Sequence, residues 1–280
     1  MSMKGMSYVQ IVIGMTRTVI SLLFLFYASW SDYKTREVSN SVWILFAPLA
    51  FALTFIEIYV YEFSQLSLIL PLYGMCFGLT TAFSIVLFYF GGFGGADAKA
   101  LMCLAITLPF HPENLAGPLF IEVSPISQAF FPITVFSNSV VLAASTAIYM
   151  LLRNIFWHQK TSKKFFEGEH INESIGRKLM VLATGYRVSI DRLKKKWHLY
   201  PLEDVESTEN GLERKLVLLP KDEGRNAIVK RLAKAAENGK IQKDVWATPG
   251  LPMLIFITTG LIIDLLFGDI VWICVTFLLR

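Results

Sequence analysis

The sequence is poor in the residues that build disulfide frameworks and metal sites. Only three cysteines occur in 280 residues, and no two of them form a CxxC pair. Cys76, Cys103 and Cys274 all lie in apolar segments, which is typical of small hydrophobic side chains rather than ligands. The four histidines also lack the spacing of metal ligands. We therefore expect no disulfide framework and no metal site.

Charged residues are also scarce, and they are unevenly distributed. Only 17% of the residues are charged whereas 54% are hydrophobic, a composition that is unusual for a soluble domain. Residues 158–250 hold 19 of the 26 Lys and Arg, together with 13 of the 22 Asp and Glu. The formal net charge of +4 therefore reflects one mixed-charge segment, and it does not indicate a nucleic-acid partner.

Long apolar runs dominate the rest of the chain, and about 20 apolar residues are needed for a helix to cross a bilayer. Six segments meet or approach this length: residues 8–30, 42–61, 66–90, 98–110, 129–157 and 252–279. The fourth is short enough to be re-entrant instead. The pattern predicts an all-α membrane protein with six transmembrane helices and a small mixed domain between helices five and six. Residues 1–157 would form helices one to five, 158–250 the water-facing domain, and 251–280 the sixth helix.

The distribution of Lys and Arg predicts the orientation of these helices, because cytoplasmic loops carry an excess of positive charge. Lys34 and Arg36 follow the first segment, Lys99 lies near the third loop, and most other basic residues are in 158–250. The loops on the opposite side, 62–65 and 111–127, contain glutamates but no Lys or Arg. We therefore expect a multi-pass protein of the plasma membrane, with the N-terminus outside and 158–250 in the cytoplasm.

Within 158–250, local patterns predict a few short elements. The run "EGRNAIVKRLAKAAENGK" has apolar residues at helical spacing and ends at a stop signal, Asn-Gly. The runs "YRVSID" and "RKLVLL" are typical of short strands, and "ATPGLP" interrupts the chain before the last apolar segment.

Two aspartates are predicted at the same membrane face. Asp32 follows the first apolar segment in "SWSDYKTREVSNSVW", and Asp97 opens the fourth after the glycine-rich run "GGFGGADAKAL". Two carboxyl groups that share a site do not both ionise readily, so one holds a proton while the other stays charged. The charged group can then take a proton from water while the protonated one donates to a scissile carbonyl.

The glycines before Asp97 leave two interpretations open. Gly91, Gly92, Gly94 and Gly95 permit positive φ angles or close approach of a substrate strand. An aspartate at this place is equally an ordinary helix N-cap, where the helix dipole favours an anion. A capping aspartate can also be catalytic.

Taken together, "SDYKTREVSNSVW" and "GGFGGADAKAL" resemble the motifs of the archaeal preflagellin and prepilin peptidases, membrane aspartic proteases of the GxGD type. The matching positions of the two motifs are Asp32, Lys34, Arg36, Asn40, Gly94, Gly95, Ala96, Asp97 and Lys99. The "VWATPGLP" run and the late Gly268-Asp269 pair are also similar to that family. The strict motif has glycine where this chain has Ala96, which we interpret as a trait of the archaeal branch.

The resemblance implies an endopeptidase that uses Asp32 and Asp97 as its catalytic pair. Its substrates would be archaellin or type IV pilin-like precursors with class III signal peptides, which are short basic leaders before a hydrophobic helix, cut at the cytoplasmic face. Glu37 is a candidate for binding the basic leader because of its position. Bacterial relatives carry a methyltransferase region with paired CxxC motifs, which this chain lacks, so we expect no zinc, S-adenosylmethionine or other cofactor.

Other functions remain compatible with the residues. The same pair could serve a presenilin-like protease that cuts within transmembrane helices. A small transporter or channel could use Asp97 and Arg17 along an ion path, since ionisable residues within a membrane are often functional. A non-catalytic scaffold could bind partners through 158–250. For Asp264 and Asp269, in the last apolar segment, we expect inward-facing structural roles.

Overall fold

The computed structural model describes residues 8–60, 63–91, 93–112, 123–162, 164–208, 211–217 and 224–279. The chain divides into two compact units. The first comprises Met1–Ala143 with Pro252–Arg280, and the second Ala144–Leu251.

Helices make up most of the described chain. In chain order they are α1 (Tyr8–Thr35), α2 (Asn40–Val60), α3 (Phe63–Tyr89), α4 (Gly95–Thr107), α5 (Pro125–Ala129), α6 (Phe131–Thr161), α7 (Ile175–Thr184), α8 (Ile190–Lys195), α9 (Arg225–Glu237), α10 (Met253–Phe267) and α11 (Ile270–Leu278). A 3-10 helix spans Gly168–Asn172. The strands are β1 (Tyr186–Ser189), β2 (Leu199–Pro201), β3 (Glu203–Thr208), β4 (Gly211–Leu216) and β5 (Asp244–Pro249).

Four helices, α1, α2, α3 and α6, are long and apolar enough to cross a membrane. The α10–α11 pair, bent by 53°, raises the number within the described residues to five if it forms one span. The predicted total of six spans is not confirmed. Helix α4 has 13 residues, which corresponds to about 20 Å and falls short of the hydrocarbon core of about 30 Å. The predicted last span is interrupted at Gly268, where φ is +87°.

The ends of α1 and α3 explain where the loops begin. Helix α1 continues five residues beyond the predicted end at residue 30, because no helix breaker occurs there and the Thr35 hydroxyl donates to the Ser31 carbonyl at 2.8 Å. The helix ends where Arg36 adopts a positive φ of 59°. Helix α3 ends before Gly91, whose φ of +72° lets the chain reverse direction.

In the first unit, α4 is enclosed by other helices. It packs against α3 and α2, and also against α1 and α10. Its alanines, including Ala98 and Ala100, are buried and permit close approach of the neighbouring helices. Phe46, Phe131 and Ile257 fill the surrounding core. The first turn of α4, which contains Asp97, is therefore held by several helices at once.

The second unit contains two small antiparallel sheets. Strands β1, β5 and β2 form one sheet in that spatial order, and β3 and β4 form a hairpin. The predicted helix in this segment is confirmed as α9. Of the predicted strand "YRVSID", Tyr186–Ser189 is confirmed as β1, whereas residues 190 and 191 begin α8. Part of "RKLVLL" is confirmed in β4, whereas residues 218 and 219 lie outside the described residues. Strand β5 was not predicted; it pairs on both edges and buries Trp246.

A buried carboxylate connects the elements of the second unit. Glu203 accepts hydrogen bonds from the backbone N–H of Trp246 and from Arg214, both at 2.8 Å, and His170 Nε2 lies 3.1 Å from it. Burial acts to raise the pKa of Glu203, but the hydrogen bond from His170 and the charge of Arg214 outweigh it and lower that pKa overall. Glu203 therefore remains ionised in the core of this unit.

Candidate active site

Asp97 is part of the first turn of α4, but it is not the N-cap residue. Gly94 is the N-cap, and its backbone N–H donates to Asp97 Oδ2 at 3.0 Å. The prediction of an Asp97 N-cap is therefore wrong in position, since the carboxylate folds back from the third helical position. This hydrogen bond fixes the orientation of the carboxyl group.

Asp32 lies in the last turns of α1 rather than in a loop after it. Its backbone carbonyl accepts from Arg36 N–H at 2.8 Å, which is the last turn before the chain turns toward α2. Lys34 is exposed at this helix end, and Arg36 is half-buried. The sequence predicted the order of these residues but not that the helix includes them.

The structure brings both aspartates to one open pocket of about 390 Å³. The pocket lies at the end of α1, at the turn that follows it, and at the starts of α2 and α4. Its lining residues are Asp32, Arg36, Glu37, Val38, Asn40, Trp43, Gly94, Gly95, Ala96, Asp97 and Lys99. Of the predicted site residues, only Lys34 is absent from this lining.

The negative charge of Asp32 is one of the factors that act on the ionisation of Asp97. Burial raises the pKa of Asp97 to about 6, although the hydrogen bond from Gly94 lowers it, and the negative charge of Asp32 raises it further. Asp97 therefore keeps its proton at a higher pH than a solvated aspartate does. An acidic group that is partly protonated near neutral pH is suited to proton transfer.

A hydrogen bond between side chains joins the two predicted motifs across the pocket. Lys99 Nζ, on α4, donates to Asn40 Oδ1, at the first position of α2, over 2.6 Å. Glu37 is exposed at the pocket rim, and its backbone carbonyl accepts from the hydroxyls of Ser31 and Thr35. Its carboxylate is accessible to a charged ligand.

The glycines around the second motif differ in how much space a Cβ would have and in their backbone φ angles. A Cβ on Gly94 would lie 3.1 Å from Asp97 Oδ2, whereas one on Gly95 would meet only the Phe88 ring at 3.6 Å. A side chain at residue 94 would therefore crowd the Asp97 carboxylate, whereas Gly91 is favoured by its positive φ. Gly92 lies outside the described residues, and Ala96 is accommodated within α4.

Sequence reasoning missed two apolar residues of the pocket, Val38 and Trp43. Trp43 is 6% exposed, and its indole N–H makes no hydrogen bond to any residue that the structure describes. It lies three positions after Asn40 and therefore on the same side of α2. The three-residue spacing from Asn40 could therefore have predicted that Trp43 lines the pocket.

Other polar residues of the helices lie away from this pocket. Arg17 forms an ion pair with Glu57, which also accepts from the Tyr73 hydroxyl. Asp264 accepts hydrogen bonds from Ser127 and Asn138 at 3.3 Å, and Asp269 caps α11. These partners are consistent with inward-facing structural roles. Among the described residues, no group of three His, Cys, Asp or Glu is arranged to hold a metal ion.

These features define a class: a membrane protein of apolar helices that presents two carboxyl groups in one open pocket. Comparison with known families agrees with that class. The family described as the type IV leader peptidase family matches residues 19–152, which contain both aspartates. The family described as archaeal peptidase A24 C-terminus type II matches residues 177–270. The chain is therefore similar to the type IV leader peptidase family over residues 19–152.

Individual relatives cover almost the whole chain. A preflagellin peptidase of Methanococcus voltae is 27% identical over 89% of this chain and 94% of its own length. A preflagellin peptidase of Methanococcus maripaludis is 24% identical over 91% of this chain and 96% of its own length. A third, from Methanocaldococcus jannaschii, is 23% identical, over 91% and 95%. The family and these relatives support a protease.

Proposed function

We propose that this protein is a membrane aspartic endopeptidase that removes the short basic leader from archaellin or type IV pilin-like precursors. The observation that carries the proposal is the shared pocket of Asp32 and Asp97, in which each carboxyl group is within electrostatic reach of the other. The relatives named preflagellin peptidase supply the substrate class.

In this proposal the two carboxyl groups share one proton. The ionised group takes a proton from a water molecule, whose oxygen attacks the scissile carbonyl carbon while the protonated group donates to the carbonyl oxygen. Collapse of the tetrahedral intermediate breaks the C–N bond, and a proton passes to the leaving amine. Because a coupled pair titrates as a unit, neither role is assigned to one residue alone.

The proposed orientation places this reaction at the cytoplasmic face. The pocket is formed by the end of α1, the turn after it, and the starts of α2 and α4, and Lys34, Arg36 and Lys99 lie at or beside these helix ends. Positive charge at these ends favours the cytoplasmic side. A precursor whose hydrophobic helix lies in the bilayer would present its leader junction at that level.

Glu37 is proposed to bind the basic leader, because it is the exposed carboxylate at the pocket rim. We expect Glu37→Gln to slow cutting of a precursor with a basic leader and to leave cutting of a neutralised-leader precursor nearly unchanged. Equal cleavage rates for wild type and Glu37→Gln on both precursors would show that Glu37 does not bind the leader.

A cleavage assay in membranes tests the catalytic pair. Full-length protein is mixed with an archaellin precursor, and leader removal is followed by the change in mass. We expect Asp32→Asn and Asp97→Asn each to lower the rate at least about a thousandfold, since single members of a catalytic unit have effects of this size. Asparagine keeps the size of the side chain, and at residue 97 it keeps an acceptor for Gly94.

Asp191→Asn is the matched control, because Asp191 is exposed on α8 outside the pocket. It should cut at the wild-type rate. Thermal unfolding of all three variants establishes that they are folded. A wild-type rate for either pocket variant would overturn the proposed pair.

A further inference from the structure

The second unit carries an exposed basic and aromatic surface, formed by the end of α8 and the start of β2. We refer to residues 192–200 as the basic–aromatic surface. Its basic side chains are exposed: Arg192, Lys194, Lys195 and Lys196. Trp197 and Tyr200 are 51% and 41% exposed, although large aromatic side chains are ordinarily buried.

Most of the positive charge on this surface is uncompensated within the described chain. Lys194 pairs with Glu237 at 3.2 Å, whereas none of the ion pairs among the described residues involves Arg192, Lys195 or Lys196. Asp191 is the one acidic residue directly beside them in the sequence. The surface is therefore complementary to a partner with several negative charges.

The backbone beneath these side chains is held in place. Arg225, at the start of α9, donates to the carbonyl oxygens of Leu199 at 2.7 Å and Lys196 at 2.8 Å. Strand β2 also pairs with β5, with Tyr200 opposite Thr248. The surface is thus presented by a fixed turn, which lowers the entropy cost of binding.

A short segment of chain connects this surface to a candidate membrane span. Gly250 N–H donates to the His198 carbonyl at 3.0 Å, within the second unit. Helix α10, part of a candidate membrane span, begins only three residues later at Met253. Three residues extend at most about 10 Å, so only a short stretch of chain separates Gly250 from the start of this candidate span.

We propose that the basic–aromatic surface docks on the anionic lipid headgroups of the membrane leaflet that the second unit faces. Lys and Arg near an anionic leaflet are attracted to lipid phosphates, and Trp and Tyr favour the headgroup level because their rings are amphipathic. Exposed Leu251, two residues before α10, adds an apolar side chain to the segment that connects this surface to the candidate span. Docking would hold the second unit against the bilayer independently of any substrate.

Hydrogen exchange of the full-length protein in lipid nanodiscs tests this inference. Discs of phosphatidylcholine alone are compared with discs that contain about 30% phosphatidylglycerol, a content that gives an anionic surface. We expect amides of residues 192–200 to exchange at least about fivefold more slowly in the anionic discs, since each basic residue contributes roughly that factor. About 0.5 M NaCl should remove the slowing by screening.

The Lys195→Gln, Lys196→Gln double variant should lose most of this slowing. Lys230→Gln with Lys234→Gln is the matched control, because both lysines are exposed on α9 and the change in charge is identical. The control should retain the slowing. Exchange of β5 amides reports whether the fold is intact in every variant.

Three results would overturn the inference. One is equal exchange of residues 192–200 in neutral and anionic discs. Another is an equal loss of slowing in both double variants, which would indicate attraction of the whole unit rather than of this surface. The third is slowing in neutral discs on addition of soluble glycerol phosphate, which would identify a small-anion site instead of a lipid surface.

Discussion

Lys99 and Asn40 lie 59 residues apart in sequence, yet Lys99 Nζ donates to Asn40 Oδ1 at 2.6 Å. This bond connects the first turn of α4 to the first residue of α2 across the pocket of Asp32 and Asp97. It therefore fixes the separation of the two elements that border the carboxyl groups.

Loss of this bond should slow leader removal without unfolding the protein. We expect Asn40→Ala and Lys99→Met each to lower the rate roughly fivefold, because a hydrogen bond to a charged group at an accessible site contributes about 1 kcal/mol. Asn40→Asp keeps an acceptor and should retain the wild-type rate. The double variant Asn40→Ala, Lys99→Met should be no slower than either single variant. Fully additive losses would show that the two residues act separately.

The space beside Asp97 yields a second prediction. Gly94→Ala would place a Cβ 3.1 Å from Asp97 Oδ2 and displace the carboxyl group, so we expect leader removal to slow at least about tenfold. Gly95→Ala is the matched control, because its Cβ meets only the Phe88 ring at an ordinary 3.6 Å. It should cut normally and unfold at an equal or higher temperature. Equal rates for the two variants would contradict a steric role for Gly94.

The Arg17–Glu57 pair should contribute to stability through mutual neutralisation. Arg17 also donates to the Ile106 carbonyl near the end of α4, at 3.4 Å. Removing one partner leaves a buried charge, so Arg17→Leu should lower the free energy of unfolding by about 3–5 kcal/mol. Thermal unfolding in detergent measures this loss. Combining Arg17→Leu with Glu57→Leu should restore much of it, and a double variant less stable than Arg17→Leu would contradict the pairing.

The raised pKa of Asp97 predicts a pH dependence of stability. Because its pKa is about 6 in the folded protein and 3.8 for an unperturbed aspartate, the folded state binds more protons between these values. The contribution of protonated Asp97 to the free energy of unfolding is fully present below about pH 3.8 and is lost as the pH rises through about 6. Asp97→Asn removes the cost of burying the charged form, so it should stabilise the protein above that range by on the order of 2 kcal/mol.

Unfolding temperatures of wild type and Asp97→Asn, measured from about pH 4 to about pH 7, test this prediction. The unfolding temperature of Asp97→Asn should exceed that of wild type by an amount that increases as the pH rises. Asp191→Asn should show no such trend, because Asp191 is exposed. A difference in unfolding temperature between Asp97→Asn and wild type that is constant over this pH range would contradict a raised pKa for Asp97.

The sequence predicted the long apolar helices and a position near helix ends for both aspartates, because apolar length and glycine-rich turns are local properties. It did not predict that α1 extends past Asp32. It also predicted α9 and β1 from short-range patterns. Contacts between segments that are distant in the chain could not be predicted from the sequence. Neither the pairing of Arg17 with Glu57 nor the bond from Lys99 to Asn40 has a signal in residue spacing, since each depends on how helices pack.

The length of α4 explains why the number of spans differs from the prediction. An apolar run of 13 residues following Asp97 looks like a short span in the sequence. In the structure, α4 is surrounded by α1, α2, α3 and α10, so that its stability comes from protein contacts rather than from lipid. Enclosure of this kind has no signature in local hydropathy.

Enclosure of α4 also has a consequence for membrane insertion. A segment this short, with Asp97 and Lys99 in its first turns, has little tendency to partition into lipid by itself during synthesis. Its final position requires its neighbours, and α10 is made only after the entire second unit. The polypeptide must therefore be synthesised through α10 before the helices that surround α4 are all present, and a chain truncated before α10 would lack one of them.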